Sequence, residues 1–120
     1  MNENLSIALN ALNDKKAMDL AAIKVGELTI VAEIFVLATA TSTTHVRTLA
    51  DEVEAKLTEV GVEPHHIEGK ATGWILLDYG DMVVHVFSRE AREFYNLDKM
   101  WSDGEIIDVT SYLKSDREEL

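Results

Sequence analysis

Cysteine is absent from this chain of 120 residues. That excludes a disulfide framework, a Cys-ligated zinc or iron–sulfur site and a thiol nucleophile. Proline occurs once, at Pro64, and no repeat, low-complexity tract or Pro/Ser/Gly-rich linker divides the sequence. One domain is expected, at a length that supports a hydrophobic core without covalent staples. No segment approaches the ~20 apolar residues needed to span a bilayer. The N-terminal MNENLSIALNALNDKK lacks the apolar run of a signal peptide and the Arg-rich, acid-poor character of a transit peptide. A cytoplasmic protein is expected.

Basic residues are also scarce. Lys and Arg number 11 against 22 Asp and Glu, for a net charge of −11. Nucleic-acid affinity rests on neutralising phosphates, and no basic stripe here is longer than Lys15-Lys16. Direct nucleic-acid recognition is therefore not expected as the main contact. An acidic surface suits a basic partner, although solubility alone also accounts for it. No GxSxG, HExxH, GxGxxG or Ser/His/Asp arrangement occurs, so an enzyme finds little support and no cofactor is expected.

What is present concentrates in Gly73 to Phe87, GWILLDYGDMVVHVF. Two short strands joined at Gly80-Asp81 form a hairpin in this reading. With Tyr79 opposite Met82, alternation puts Ile75, Leu77, Tyr79, Met82, Val84 and Val86 on one apolar face, which must be core. The other face carries Trp74, Leu76, Asp78, Val83, His85 and Phe87. Such a face suits a contact surface, with aromatic anchors and orienting polar groups. It equally suits a face covered by a helix, with His85 satisfied by a backbone partner.

Elsewhere, Leu5, Leu9 and Leu12 at helical spacing predict a helix over 3–13. Ala21 to Val25 and Thr29 to Ala38 predict two strands around Gly26-Glu27, the second buried on both sides. The hydroxyl run from Thr41 to Thr44 opens a helix whose stripe is Val46, Leu49, Ala50, Val53, Leu57 and Val60, with Gly61 as its cap. His65 to Ala71 predicts a short strand. Ser88 caps a further helix, SREAREFYNLDKMW, with Ala91, Phe94, Tyr95 and Met100 as buried or interface positions. Glu105 to Val109 could add an edge strand, and KSDREEL is expected to be disordered. The order points to a single α/β or α+β domain, a mixed sheet flanked by helices.

Other sites are weakly marked. Asp78 and Asp81 with His85 could start a metal site, but an Asp at a hairpin turn answers to turn chemistry alone. The TATSTTH segment lacks the glycines and lysine of a phosphate loop and reads as a helix cap. His65-His66 read as surface histidines.

The run GWILLDYGDMVVHVFSREAREFYNLDKMW resembles the ribosomal silencing factor (RsfS, Iojap-like) family. Trp74, Asp78, Gly80, Asp81, Val84, His85, Glu90, Arg92, Tyr95, Leu97 and Trp101 fall on that family's signature in order. Upstream, ATATSTTHVRTLADEVEAKL is similar to its Thr/Ser-rich turn and following helix. The resemblance covers roughly residues 5–101. It departs at Gly73, where an acidic residue is frequent, at Tyr79, where an aliphatic one is, and in the longer tail.

The resemblance implies a non-enzymatic translation regulator on a nucleotidyltransferase-like fold without the catalytic motif, in residues 1–102, followed by an acidic extension over 103–120. It implies binding to the large ribosomal subunit through large-subunit ribosomal protein fourteen, a block on small-subunit association under nutrient limitation, and a link to large-subunit maturation. It also implies homodimers. On this reading Trp74 and Tyr79 anchor the partner, Asp78 and Asp81 pair with its Lys or Arg, and Tyr95 frames the patch that includes His85. The alternatives are a residual nucleotide- and metal-dependent enzyme at Asp78, Asp81 and His85, and a dimeric scaffold unrelated to ribosomes.

Overall fold

A computed structural model describes residues 3–26, 32–69, 73–96, 99 and 104–113. The chain runs α1 (Glu3–Asp14), β1 (Met18–Lys24), β2 (Ile34–Ala40), α2 (Thr43–Glu59), β3 (His66–Glu68), β4 (Trp74–Asp78), β5 (Met82–Ser88), α3 (Arg89–Tyr95) and β6 (Glu105–Ile107), then a 3-10 turn, Val109–Tyr112. The six strands form one sheet in the order β3-β4-β5-β2-β1-β6. Only β2 and β5 pair in parallel, so the expected mixed α/β architecture is the observed one.

Burial follows the side-chain periodicities. Leu5, Ala8, Leu9 and Leu12 of α1 and Val46, Leu49, Ala50, Val53 and Leu57 of α2 pack in one cluster with Ile75, Leu77, Val84 and Val86 from the sheet. Each Leu, Ile or Val among them contributes roughly 1.5–3 kcal/mol when fully buried. The central strand β5 is buried at every position from Met82 to Phe87, because α1 and α2 lie on one face and a second cluster covers the other. Ser42 starts α2, its Oγ accepting from His45 N at 3.0 Å, and Gly61 follows the helix end at φ +82°. Val60 departs from the expected stripe: it is the C-cap residue, outside the last helical turn, and is 56% exposed.

Boundaries moved where backbone hydrogen bonds intervene. β1 begins at Met18, three residues before the expected start, with a bulge between Met18 and Ala21. β2 begins at Ile34 instead of Thr29, since Glu33 N and Ile34 N both donate to Asp81 O and turn the chain there; residues 27–31 lie outside the described set. β3 covers only His66–Glu68, with 70–72 outside that set. α3 stops at Tyr95, where Asn96 takes a left-handed φ of 50° and interrupts the expected helix; Lys99 beyond it is again helical, and residues 97, 98 and 100–101 lie outside the described set. Met100 and the KSDREEL tail are not among the described residues.

The expected edge strand is β6, at the end of the sheet opposite β3, and it pairs antiparallel with β1 through Ala22↔Ile107. Asp108 Oδ1 caps the 3-10 turn, and Asn10 Nδ2 of α1 donates to Tyr112 O at 2.8 Å. Residues of the 105–113 segment thus contact β1 and α1. Among the described residues, no helix is long and apolar enough to cross a membrane.

Candidate partner-binding face

The β4–β5 hairpin has the expected register, with Trp74 opposite Phe87, Leu76 opposite His85 and Asp78 opposite Val83. Its turn depends on two side-chain features. Gly80 sits at φ +89°, a region that L side chains avoid, and Asp78 Oδ1 accepts from Gly80 N at 2.8 Å. At the other end, Ser88 N donates to Gly73 O at 2.7 Å, and Ser88 Oγ accepts from Ala91 N to start α3. A Cβ on Gly73 would lie 2.7 Å from that Oγ. In the sequence Gly73 stood out only as a departure from the family pattern; its close approach to Ser88 involves a neighbour fifteen positions away.

The two faces of the hairpin have different environments. Ile75, Leu77, Tyr79, Met82, Val84 and Val86 all join the cluster beneath α1 and α2. Tyr79 is therefore 9% exposed and lies on the opposite face from Trp74. Burial pushes its phenol up to about 12, with Glu54 and Glu63 adding to the effect. Among the described residues its hydroxyl has no hydrogen-bond partner. The paired Trp74–Tyr79 anchor expected from the sequence does not form; Tyr79 supports the hairpin from its core side.

On the second face, α3 covers only one end. Ala91 packs against the cluster of Ile23, Val25, Leu37 and Phe87, with Trp74 and Phe35 at its margin. Arg92 Nη1 ties α3 down by donating to Asp19 O and to the buried Thr39 Oγ1, each at 2.9 Å. Trp74 stays half-buried, stacked on Phe87 at 5.2 Å and 28°. Its Nε1–H donates to His85 Nδ1 at 3.2 Å.

His85 is the second correction. It is 3% exposed, packed against Phe87 and edge-on to Phe35, so it offers no exposed contact. Its hydrogen-bond partner is the indole of Trp74, not the backbone group that a covered face implied. Burial lowers its pKa to about 4, which keeps the ring neutral near pH 7. The face is thus a hybrid of the two sequence readings: covered along β5, where Val83, His85 and Phe87 are buried, and half-open along β4 at Trp74, Leu76 and Asp78.

The acidic rim is partly committed. Besides holding the turn, Asp78 places Oδ2 3.5 Å from His66 Nδ1, while His66 Nε2 lies 3.0 Å from Glu68. Asp81 is exposed at the turn. Tyr95 ends α3, and its side chain lies outside the described set; the adjacent Phe94 is 80% exposed. Asp78, Asp81 and His85 do not converge: one caps the turn, one projects from it, and the third is buried against Trp74. Among the described residues no group of three or more His, Asp or Glu side chains could hold a metal ion.

Comparison with known proteins decides the family. The family model described as "Ribosomal silencing factor during starvation" matches residues 1–119. The chain belongs to the ribosomal silencing factor (RsfS) family. The "Ribosomal silencing factor RsfS" of Halalkalibacterium halodurans is 35% identical over 108 residues, covering 89% of this chain and 92% of the relative. A crystal structure of a Chromobacterium violaceum protein is similar, with a TM-score of 0.82 at 34% identity, over 85% of this chain and 88% of that one. The mouse "Mitochondrial assembly of ribosomal large subunit protein 1" is 30% identical over 82% of this chain, which spans 45% of that longer relative. The RsfS family match extends to residue 119, beyond β6.

Proposed function

We propose that this chain binds the large ribosomal subunit through ribosomal protein fourteen and blocks association with the small subunit. Translation is thereby repressed under nutrient limitation. The observation that carries the reading is Trp74: a large aromatic, held half-buried in a fixed orientation on the first strand of a hairpin whose far end carries Asp78 and Asp81. Buried anchors of this type supply most of the energy of protein interfaces. A net charge of −11 opposes direct contact with rRNA and favours a basic protein partner. Family membership supports the ribosome as the setting, and the mouse relative's name couples a similar chain to the large subunit.

In this account Trp74 is the apolar anchor, Asp78 and Asp81 are the acidic rim, and Tyr95 frames the patch from α3. Tyr79 and His85 act from beneath, by holding the hairpin and the indole. The chain works in the cytoplasm, and a homodimer on the same face would compete with the ribosome. Light scattering of purified subunits tests the reading. Added protein slows joining of large and small subunits, and isolated ribosomal protein fourteen relieves the block by competition. Joining at an unchanged rate with saturating protein would contradict it.

A further inference from the structure

The neutral His85 ring accepts at Nδ1 from Trp74, so its own proton sits on Nε2. Among the described residues, that buried Nε2–H has no partner. Natural interiors contain few such groups, and each calls for a reason. A phenylalanine at this position would fill similar space, keep the parallel contact with Phe87 at 5.9 Å and the edge contact with Phe35 at 4.7 Å, and leave no orphaned donor. Beyond that orphaned donor, the imidazole adds to a phenyl ring an acceptor aimed at the indole. The placement follows from strand register. Trp74 is opposite Phe87 and Leu76 is opposite His85, so His85 and Trp74 are diagonal neighbours on one face.

We propose that His85 is a positioning residue, whose buried acceptor fixes the Trp74 indole in the orientation that the ribosomal partner meets. This rests on the reading of Trp74 as the docking anchor. Phe87 sets the plane of the indole by stacking, and His85 sets its rotation within that plane. A half-open tryptophan would otherwise populate several rotamers, and ordering it on binding would cost affinity. Lowered basicity in the buried site keeps the acceptor available at neutral pH.

The test uses the full chain with Trp101→Phe, leaving Trp74 as the one indole of the two in the sequence. Two variants, His85→Phe and His85→Asn, are compared by indole Nε1–H NMR, thermal melting and large-subunit binding. Asn places an amide oxygen close to the Nδ1 position and restores the acceptor. The expected result is a hydrogen-bonded, exchange-protected indole in the parent and in His85→Asn, and an unprotected one in His85→Phe. Binding by folded His85→Phe falls by about threefold to tenfold, and His85→Asn recovers most of it. An indole signal that stays protected in His85→Phe overturns the positioning bond. Normal subunit binding by His85→Phe with a released indole overturns the role in docking while leaving Trp74 as anchor. Normal binding by Trp74→Ala overturns the anchor and, with it, this proposal.

Discussion

Trp74 and Tyr79 lie five positions apart on one hairpin and face opposite sides of the sheet. Trp74 rests half-open on Phe87, whereas Tyr79 is buried beneath α2. Truncating each has a different consequence. If Trp74 is the docking anchor, Trp74→Ala should weaken binding to the large subunit by at least ~2 kcal/mol, about thirtyfold, with a small change in melting temperature. Tyr79→Ala lowers stability by roughly 3–5 kcal/mol, in the range of large core truncations, and affects binding only through unfolding. Parallel melting and binding titrations separate the two effects.

The Tyr79 hydroxyl sets a second expectation. Buried without a partner among the described residues, it adds nothing that a phenyl ring lacks. Tyr79→Phe should be neutral or stabilising by up to about 1 kcal/mol, and should bind subunits normally. A loss of more than 2 kcal/mol in urea denaturation would mean that the hydroxyl is bonded after all.

Acid sensitivity should be traceable to His85. Its folded pKa, about 4, is below the unfolded value near 6.5, so the unfolded chain binds more protons between those two pH values. Stability contributed by the neutral ring is complete above pH 6.5 and is lost as pH falls towards 4, by an amount on the order of 3 kcal/mol. Carboxylates titrate in the lower part of the same window, so the informative quantity is the difference between wild type and His85→Phe. The variant should lose less stability between pH 7 and pH 4. Identical curves would show that His85 is not buried neutral.

At the carboxylate rim, charge and structure can be separated. Asp78→Asn keeps an oxygen for Gly80 N, and so keeps the turn, but removes the charge. Subunit binding should fall by up to about tenfold at low salt and lose part of its salt dependence, with little change in melting temperature. Asp78→Lys would confound repulsion with a broken turn.

Gly73→Ala probes the junction of β4 with α3. The new Cβ would meet Ser88 Oγ at 2.7 Å and displace the hydroxyl that caps Ala91 N. Loss of such a cap costs about 0.5–2 kcal/mol. Thermal melting measures the total, and Ser88→Ala should reproduce most of it without the clash.

Local patterns made much of the fold legible. Alternation in the hairpin and the Gly80-Asp81 turn gave the observed register from Trp74 to Phe87, and Ser42 and Gly61 bounded α2. Residues whose roles depend on distant neighbours were not legible. The Glu33–Asp81 bond that delays β2, the Gly73–Ser88 contact and the Arg92 tie to Thr39 join elements far apart in sequence. The site divided along the same line. The face on which Trp74 lies was legible from alternation, while the burial of His85 required knowing that Phe35 and Phe87 flank it. Alternation had already put Tyr79 on the core face, where it is buried and turned away from Trp74.

The central claim is best tested by co-sedimentation with purified large and small ribosomal subunits, using the wild-type chain and Trp74→Ala side by side. The account predicts that the wild type pellets with the large subunit alone, and that Trp74→Ala remains folded in the supernatant. Wild-type protein that stays in the supernatant at low salt, or Trp74→Ala that pellets as fully as the wild type, would contradict it.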